Sequence, residues 1–477
     1  MKDANNVEFV TTKVPPDGGY GWVVASAMAL NSFIYIPLSS CFGLIFKDTF
    51  AELGLSAAEV SLIVNLHTAF GMLTGLLNGV LLKLFGYRKT AVLAAVLYFG
   101  GITSTSFARS FPFFIVAYGL VASLGLGMCK SSFSLALNTY FKKRRSKAIG
   151  FTVTVTGFGP IVLPQLITFL MKFYDPQGVM LIFGGLCAHF FVTALLLQPV
   201  KWHMKDENEQ LTLEQKKSNG GEVGVKWCAA LNQCSQPDSV QDSCDACTDN
   251  ASEESKSLLA KITNFFDLDL LQDGIFLNIL LGLSLSLFVD MNFTLLTPFI
   301  LNDLGLTTYQ IATFISTLGA ADIVFRFLAP YIGDYLKSTP RQIYVFTIIF
   351  TAVMRFGLLF STDFKVLLIP AIGLGIAKGV RRVYMKLIVP NHVSLEKLPS
   401  ASGMELMING LCILVGGSIL GIVRDITGSY FHCIIIMNFV SFITVCTWTL
   451  EGVMVKYMKK KTAKTSSIKE SFVLNKI

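Results

Sequence analysis

Charge is what this chain has least of. Of its 477 residues 15% are charged and 53% hydrophobic, with a mean hydropathy of +0.60. A soluble domain carries about a quarter charged residues, so an ordinary water-soluble fold is excluded. A disulfide scaffold is excluded as well. Of ten cysteines, Cys41, Cys129, Cys187, Cys412 and Cys446 are scattered through apolar segments, Cys433 opens another, and Cys228, Cys234, Cys244 and Cys247 lie in a polar middle stretch. Only the last two form a tight pair, whereas a structural zinc site wants two such pairs. No metal or cofactor is expected, and reversible acylation or simple disorder suits that stretch better. The apolar segments hold no nucleophile–base set, which argues against an enzyme, and no pore-filter sequence, which argues against a channel. No cleavable leader is expected either, because the first nineteen residues are polar and the first apolar run is already of spanning length.

What is present is a series of about twelve segments long enough to cross a bilayer as helices. They cover approximately 20–44, 59–82, 90–107, 111–139, 148–171, 178–199, 274–297, 310–336, 342–361, 364–388, 401–423 and 430–456. The predicted fold is an all-α membrane protein whose twelve transmembrane helices form two six-helix bundles around a central site. Its parts are a tail (1–19), a first bundle (20–199), a polar linker (200–271), a second bundle (272–456) and a basic tail (457–477). Within the linker, 258–271 mixes apolar and charged residues and is expected to lie along the membrane interface. The net charge of +8 reads as topology and not as affinity for nucleic acid. Lys and Arg cluster at 83–89, 142–147, the linker, 337–341, 386–397 and the C-terminal tail, while the alternate loops hold single bases such as Lys47, Arg109, Lys172 and Lys365. Membrane lipid is then the surroundings, and both termini are expected in the cytoplasm.

The few charges inside the spans carry the functional argument. Asp322 and Arg326 sit near the middle of span eight, stacked on one helix face, roughly 6 Å apart along its axis. A lone charge at that depth costs about 3 kcal/mol even on the lenient insertion scale, so the pair must face protein or a watery cavity. It either pins two helices together or lines an anion path. Lys130, deep in span four, has no sequence-adjacent partner, and Arg355 is also intramembrane. Span ten carries Lys378, Arg381 and Arg382, with Lys386 one turn further on, where snorkelling to the headgroups accounts for it. Asp290 and Glu405 fall nearer helix ends and read as structural partners. His67 is a packed polar residue or a proton relay. Near it Gly71, Gly75 and Gly79 form a stripe that lets another helix close in. Pro160 and Pro164 interrupt span five, as at a kink or gating bend. Since Lys and Arg outnumber Asp and Glu in the spans, the expected solute is an organic anion, whose carboxylate Arg can hold with two parallel hydrogen bonds.

Two separated motifs add a resemblance. Asp17-Gly18-Gly19-Tyr20-Gly21-Trp22 resembles the first signature of the monocarboxylate transporter family. Tyr140-Phe141-Lys142-Lys143-Arg144-Arg145-Ser146-Lys147-Ala148-Ile149-Gly150 resembles the second, although Val153-Thr154-Val155-Thr156 follows where the family usually shows Ala-Gly-Ser, with Gly159 kept. Asp322 and Arg326 match the family's Asp-x-x-x-Arg. The likeness covers nearly the whole chain. It implies a major facilitator fold, passive or proton-linked carriage of monocarboxylates and related solutes, residence in the plasma membrane, and in many members a single-span ancillary glycoprotein as partner. One departure matters: Ser40 stands where the proton-linked lactate carriers have a lysine. Members without that lysine tend to move aromatic amino acids, thyroid hormones, creatine or carnitine. Span ten also carries Arg382 and Lys386 where the lactate carriers look acidic, so Lys130 or Arg382 is expected to supply the missing cation.

Together these readings point to a secondary transporter moving small organic anions of the lactate and pyruvate kind by alternating access, with a proton. The solute is expected at Arg326, Asp322, Lys130, Arg382 and Ser40. Its carboxylate competes with Asp322 for Arg326, and Asp322, so released, takes the proton; His67 is a second candidate for proton coupling. The alternatives are a facilitative carrier of another solute and a non-transporting receptor or scaffold. The departures at Ser40 and in the second signature favour the scaffold, and the retained Asp322 and Arg326 oppose it.

Overall fold

The computed structural model describes residues 13–55, 57–206, 266–360, 363–427 and 430–474. Helices α1 (Gly21–Ile45), α2 (Ala57–Leu73), α3 (Gly75–Thr105), α4 (Phe111–Tyr140), α5 (Arg145–Leu170) and α6 (Pro176–Leu195) make the first half. Helices α7 (Gly274–Asp303), α8 (Thr308–Leu336), α9 (Pro340–Gly357), α10 (Phe364–His392), α11 (Leu398–Thr427) and α12 (Tyr430–Leu474) make the second. The expected all-α membrane fold of two six-helix bundles is the one observed. Seven of the described helices are long and apolar enough to cross a bilayer alone, and the bent pair of α2 and α3 makes an eighth. Helix α10 differs because it carries Lys365, Lys378, Arg381, Arg382 and Lys386.

Local chemistry sets several helix starts. Thr307 with Gln310 and Thr339 with Gln342 form capping boxes at α8 and α9, and Asp273 and Asp363 accept backbone N–H bonds at the starts of α7 and α10. One expected boundary is kept and one is revised. The basic stretch 83–89 holds the expected short connection: α3 is two helices that meet at Gly86, whose φ of 74° and ψ of 164° are open to glycine alone. Helix α12 runs past 456 to Leu474, since neither Gly nor Pro follows Gly452 to stop it. The linker cysteines and most of 258–271 lie outside the described residues. So does the side chain of Ser40, whose backbone is part of α1.

The halves meet along two seams, α2 and α3 against α11, and α5 against α8. A Cβ on Gly79 would stand 2.8 Å from the Pro399 carbonyl oxygen, and one on Gly75 would be 2.9 Å from Leu406 Cβ. The expected glycine stripe therefore serves close packing, two of its members against α11 and Gly71 against Ser123 of α4. Gly150 of α5 faces Pro330 of α8 in the same manner. These approaches fall toward the face that bears the basic connections, where polar contacts reinforce them. Arg145 Nη1 donates to the Pro390 carbonyl (2.9 Å) and to Asn391 Oδ1 (3.2 Å), and Lys147 pairs with Asp334 (3.1 Å). On the same face Lys83 pairs with Asp267, Lys397 with Asp269 and His392 with Asp273, which ties the segment entering α7 to both halves.

The two sequence signatures turn out to be one structure. Asp17 precedes α1 and by position suits that helix's positive end, yet its carboxylate serves α5 instead. With a left-handed backbone (φ 46°), Asp17 turns its Oδ1 onto the N–H groups of Lys142 (2.6 Å), Lys143 (2.8 Å) and Arg144 (3.2 Å), in the turn that opens α5. Gly21 presses on the Phe141 ring, and Trp22 meets that ring edge-on at 5.4 Å. Within the second signature Arg144 is exposed, as are Lys142, Lys143 and Lys147, whereas the buried Arg145 makes the bonds across to α10. Gly18 accepts from Gly21 N–H at 3.1 Å, and Gly19 has a φ of 54°. Asp17→Ala should destabilise the first half by on the order of 2 kcal/mol, the usual worth of hydrogen bonds to a charged acceptor. Thermal unfolding of detergent-solubilised protein measures this; a midpoint equal to wild type would refute it.

Candidate functional site

Helix α8 carries Asp322 and Arg326 one turn apart, and both are 5% exposed. The guanidinium grips the carboxylate with two bonds, Nε to Oδ1 at 2.7 Å and Nη2 to Oδ2. Its third nitrogen reaches the other half: Nη1 donates to the Val153 carbonyl of α5 at 3.3 Å, and a Cβ on Gly157 would stand 2.6 Å from it. The pair thus lies in the α5–α8 seam. Arg382 of α10 brings Nη1 to 4.0 Å from Asp322 Oδ2, with its own side chain 44% exposed.

Of two cavities, the first is lined by Asp322 and the second by neither member of the pair, and their charges differ. The first, about 170 Å³, lies within the second half and is lined by Asp290, Thr294, Asp322, Thr351, Lys378 and Arg381 among others. Its ionisable lining is two acids and two bases, and most of it is already engaged. Arg381 forks onto Asp290, with Nε to Oδ2 at 2.9 Å, and donates to Thr351 Oγ1 at 2.7 Å. Lys378 Nζ donates to Thr294 Oγ1 at 3.0 Å. Deeper in the same half Arg355 is 1% exposed, its guanidinium 5.0 Å from the Phe293 ring; its Nε and Nη1 find no hydrogen-bond partner among the described residues.

The second cavity, about 290 Å³, lies between the halves. Helices α1, α2 and α4 supply one wall, and α7, α10 and α11 the other. Its ionisable lining besides Tyr35 and Cys129 is Lys130, Lys386 and Glu405, and its neutral polar lining includes Asn31, Ser131, Ser134 and Asn409. Lys130 Nζ stands 4.8 Å over the Tyr35 ring. Among the described residues none of the three charged groups has an ion-pair partner within 4.0 Å. The two amides have their oxygens engaged: Thr193 Oγ1 donates to Asn31 Oδ1 at 3.0 Å and Ser284 Oγ to Asn409 Oδ1 at 2.7 Å.

Two readings of the spans change here. Lys386, expected among the headgroups, faces the central cavity. Each four-residue step along a helix turns its side chain by about 40°, so Lys378, Arg382 and Lys386 sweep from one cavity toward the other. Glu405, read as a structural partner, lines the same central space, whereas Asp290 is indeed paired. Of the other candidates, His67 is 3% exposed and stacks on Tyr118 at 4.0 Å, its Nδ1 2.9 Å from the Tyr118 carbonyl and its Nε2 3.5 Å from Ser39 Oγ. Tyr118 sits in a π-helical stretch of α4, Ile115–Ala122. Spacing along α10 could have signalled Lys386; nothing in the sequence marks Glu405.

The geometry can be set beside known proteins. A sequence model of the Major Facilitator Superfamily matches residues 28–340. The chain is 27% identical to monocarboxylate transporter 1 of Bos taurus over 431 residues, 87% of this chain and 81% of that protein. It is 22% identical to monocarboxylate transporter 12 of Mus musculus over 432 residues, 90% and 85% of the two chains. Among solved structures it resembles the proton:xylose symporter XylE bound to 6-bromo-6-deoxy-D-glucose, with a TM-score of 0.59 and 14% identity over 92% of this chain and 95% of that one.

Because Arg381 and Asp290 are largely buried, removing one leaves the other uncompensated. Arg381→Ala should cost about 3–5 kcal/mol, and Asp290→Ala in the same molecule should recover part of that loss. Thermal unfolding of the two single variants and the double variant measures it; strictly additive losses would show that the pair is not coupled.

Proposed function

The chain belongs to the Major Facilitator Superfamily, and from that premise we propose that it is a secondary transporter moving small organic monocarboxylates, of the lactate and pyruvate kind, across the plasma membrane together with a proton. The observation that carries this reading is the central cavity. It touches both halves, as an alternating-access site must, and its lining leaves one positive charge in excess. The neighbouring cavity is balanced and offers an anion no such excess. At about 290 Å³ the central space falls at the small end of ligand pockets, which run roughly 300–1,000 Å³. That size favours a short acid over a thyroid hormone.

In this mechanism the solute carboxylate bonds to Lys130 from one half and Lys386 from the other, and so draws the halves together around it. The donor-rich amides of Asn31 and Asn409 assist. The proton is assigned to Asp322. When α5 parts from α8, Arg326 loses the Val153 carbonyl and is free to follow solute or carboxylate; Asp322, released from it, accepts the proton. One anion and one proton leave the charge of the moving core unchanged, so the membrane potential does not oppose the step. The seams of α2, α3 and α5 with α11 and α8 open on the basic face, which the distribution of Lys and Arg assigns to the cytoplasm. His67, held by Tyr118, is given no transfer step.

Proteoliposomes test the reading with a radiolabelled panel of lactate, pyruvate, butyrate, aromatic amino acids, creatine and carnitine at two pH values. Lactate or pyruvate should enter faster from the acidic side. Lys130→Ala and Lys386→Ala should each cut that uptake at least tenfold while the protein still inserts and remains monodisperse. Asp322→Asn should abolish the response to an imposed pH gradient. Uptake confined to another solute, or none in a folded wild-type protein, would overturn the reading.

A further inference from the structure

We infer that Glu405 fixes the net charge of the central cavity and thereby makes it select solutes with one carboxylate over solutes with two. The inference rests on the central cavity being the solute site. Three charged side chains line that space: Lys130 on α4, Lys386 on α10 and Glu405 on α11. With Glu405 ionised, the lining carries one excess positive charge, and a solute with one carboxylate brings it to neutrality. A second carboxylate leaves a negative charge uncompensated in a confined, weakly polar space, which costs several kcal/mol unless it is paired. Without Glu405 the excess is two positive charges, and the balance moves to the dianion.

The walls around Glu405 support treating the three charges as a closed set. The other helices lining the cavity face it with Tyr35, Asn31 and Ser32 (α1), Met72 (α2), and Leu287 and Met291 (α7); α4 adds Cys129, Ser131 and Ser134 beside Lys130. On α11 itself the neighbours are Ser402, Leu406 and Asn409. The next nearest cations, Arg326 and Arg382, stand outside the lining and are turned to Asp322, the first by two bonds and the second at 4.0 Å. Glu405 has no bonded cation that would remove its charge from the count, unlike Asp290 and Asp322, each of which is held by an arginine fork.

The test is the ratio of succinate to lactate uptake in proteoliposomes. Glu405→Gln should raise that ratio at least tenfold over wild type, and Glu405→Gln with Lys386→Gln, which restores a single excess positive charge, should return the preference to lactate. Asn409→Asp, made in the wild-type chain, adds an acid and should cut lactate affinity at least tenfold relative to a net-neutral solute such as creatine. That variant keeps the proposal testable if Glu405→Gln fails to fold. Binding of both acids, followed by thermal stabilisation of the purified protein, separates affinity from turnover. An unchanged succinate-to-lactate ratio in Glu405→Gln overturns the inference even when lactate uptake persists. A changed pH profile at an unchanged ratio overturns it too, and makes Glu405 a proton carrier. A folded wild type that neither binds nor carries any monocarboxylate overturns the reading of the cavity first, and this inference with it.

Discussion

A charge inside a bilayer must find a counter-charge, a polar neighbour or water, and that requirement sorts the intramembrane ions among the described residues, with Lys378 resting on the Thr294 hydroxyl. Asp322 and Asp290 are each gripped by an arginine, and Arg355 rests on the face of Phe293. Arg382 leans toward the Asp322 carboxylate. Lys130, Lys386 and Glu405 are left without such partners, and all three are found around the space between the halves. Pairing holds Asp290 and Asp322 of the second bundle in place, and the absence of an ion-pair partner among the described residues is what sets Lys130, Lys386 and Glu405 apart in the central space.

The Asp322–Arg326 pair belongs to the first of these groups. It is buried, so it does not present itself to solute in this state, yet its third nitrogen bonds a carbonyl of the opposite half. The pair is therefore sensitive to separation of α5 from α8. A group that is sealed when the seam is closed and loses a partner when it opens can couple chemistry to movement without standing in the cavity itself.

Much of the fold was legible in the sequence because lipid leaves few options: apolar runs of spanning length must be helices, and Lys and Arg mark the connections. Gly75 and Gly79 announced a close helix contact, and one formed. What was not legible depended on how helices turn about their axes. Asp17 suited the start of its own helix by position, and only the folded chain shows it seated on the backbone of Lys142, Lys143 and Arg144. Lys386 read as a headgroup contact because depth along a helix is visible in sequence whereas the direction it faces, relative to other helices, is not. Glu405 had no periodic signal at all, since its meaning lies in Lys130 and Lys386 on two other helices.

The seam of α2 and α3 with α11 brings backbone close to backbone at two points. At Gly75 with Gly403 and at Gly79 with Pro399, main chain lies close to main chain. Contacts of this kind are worth about 0.5–1 kcal/mol each at most. Held by so little apiece, these two crossings resist separation far less than a buried arginine–carboxylate pair would.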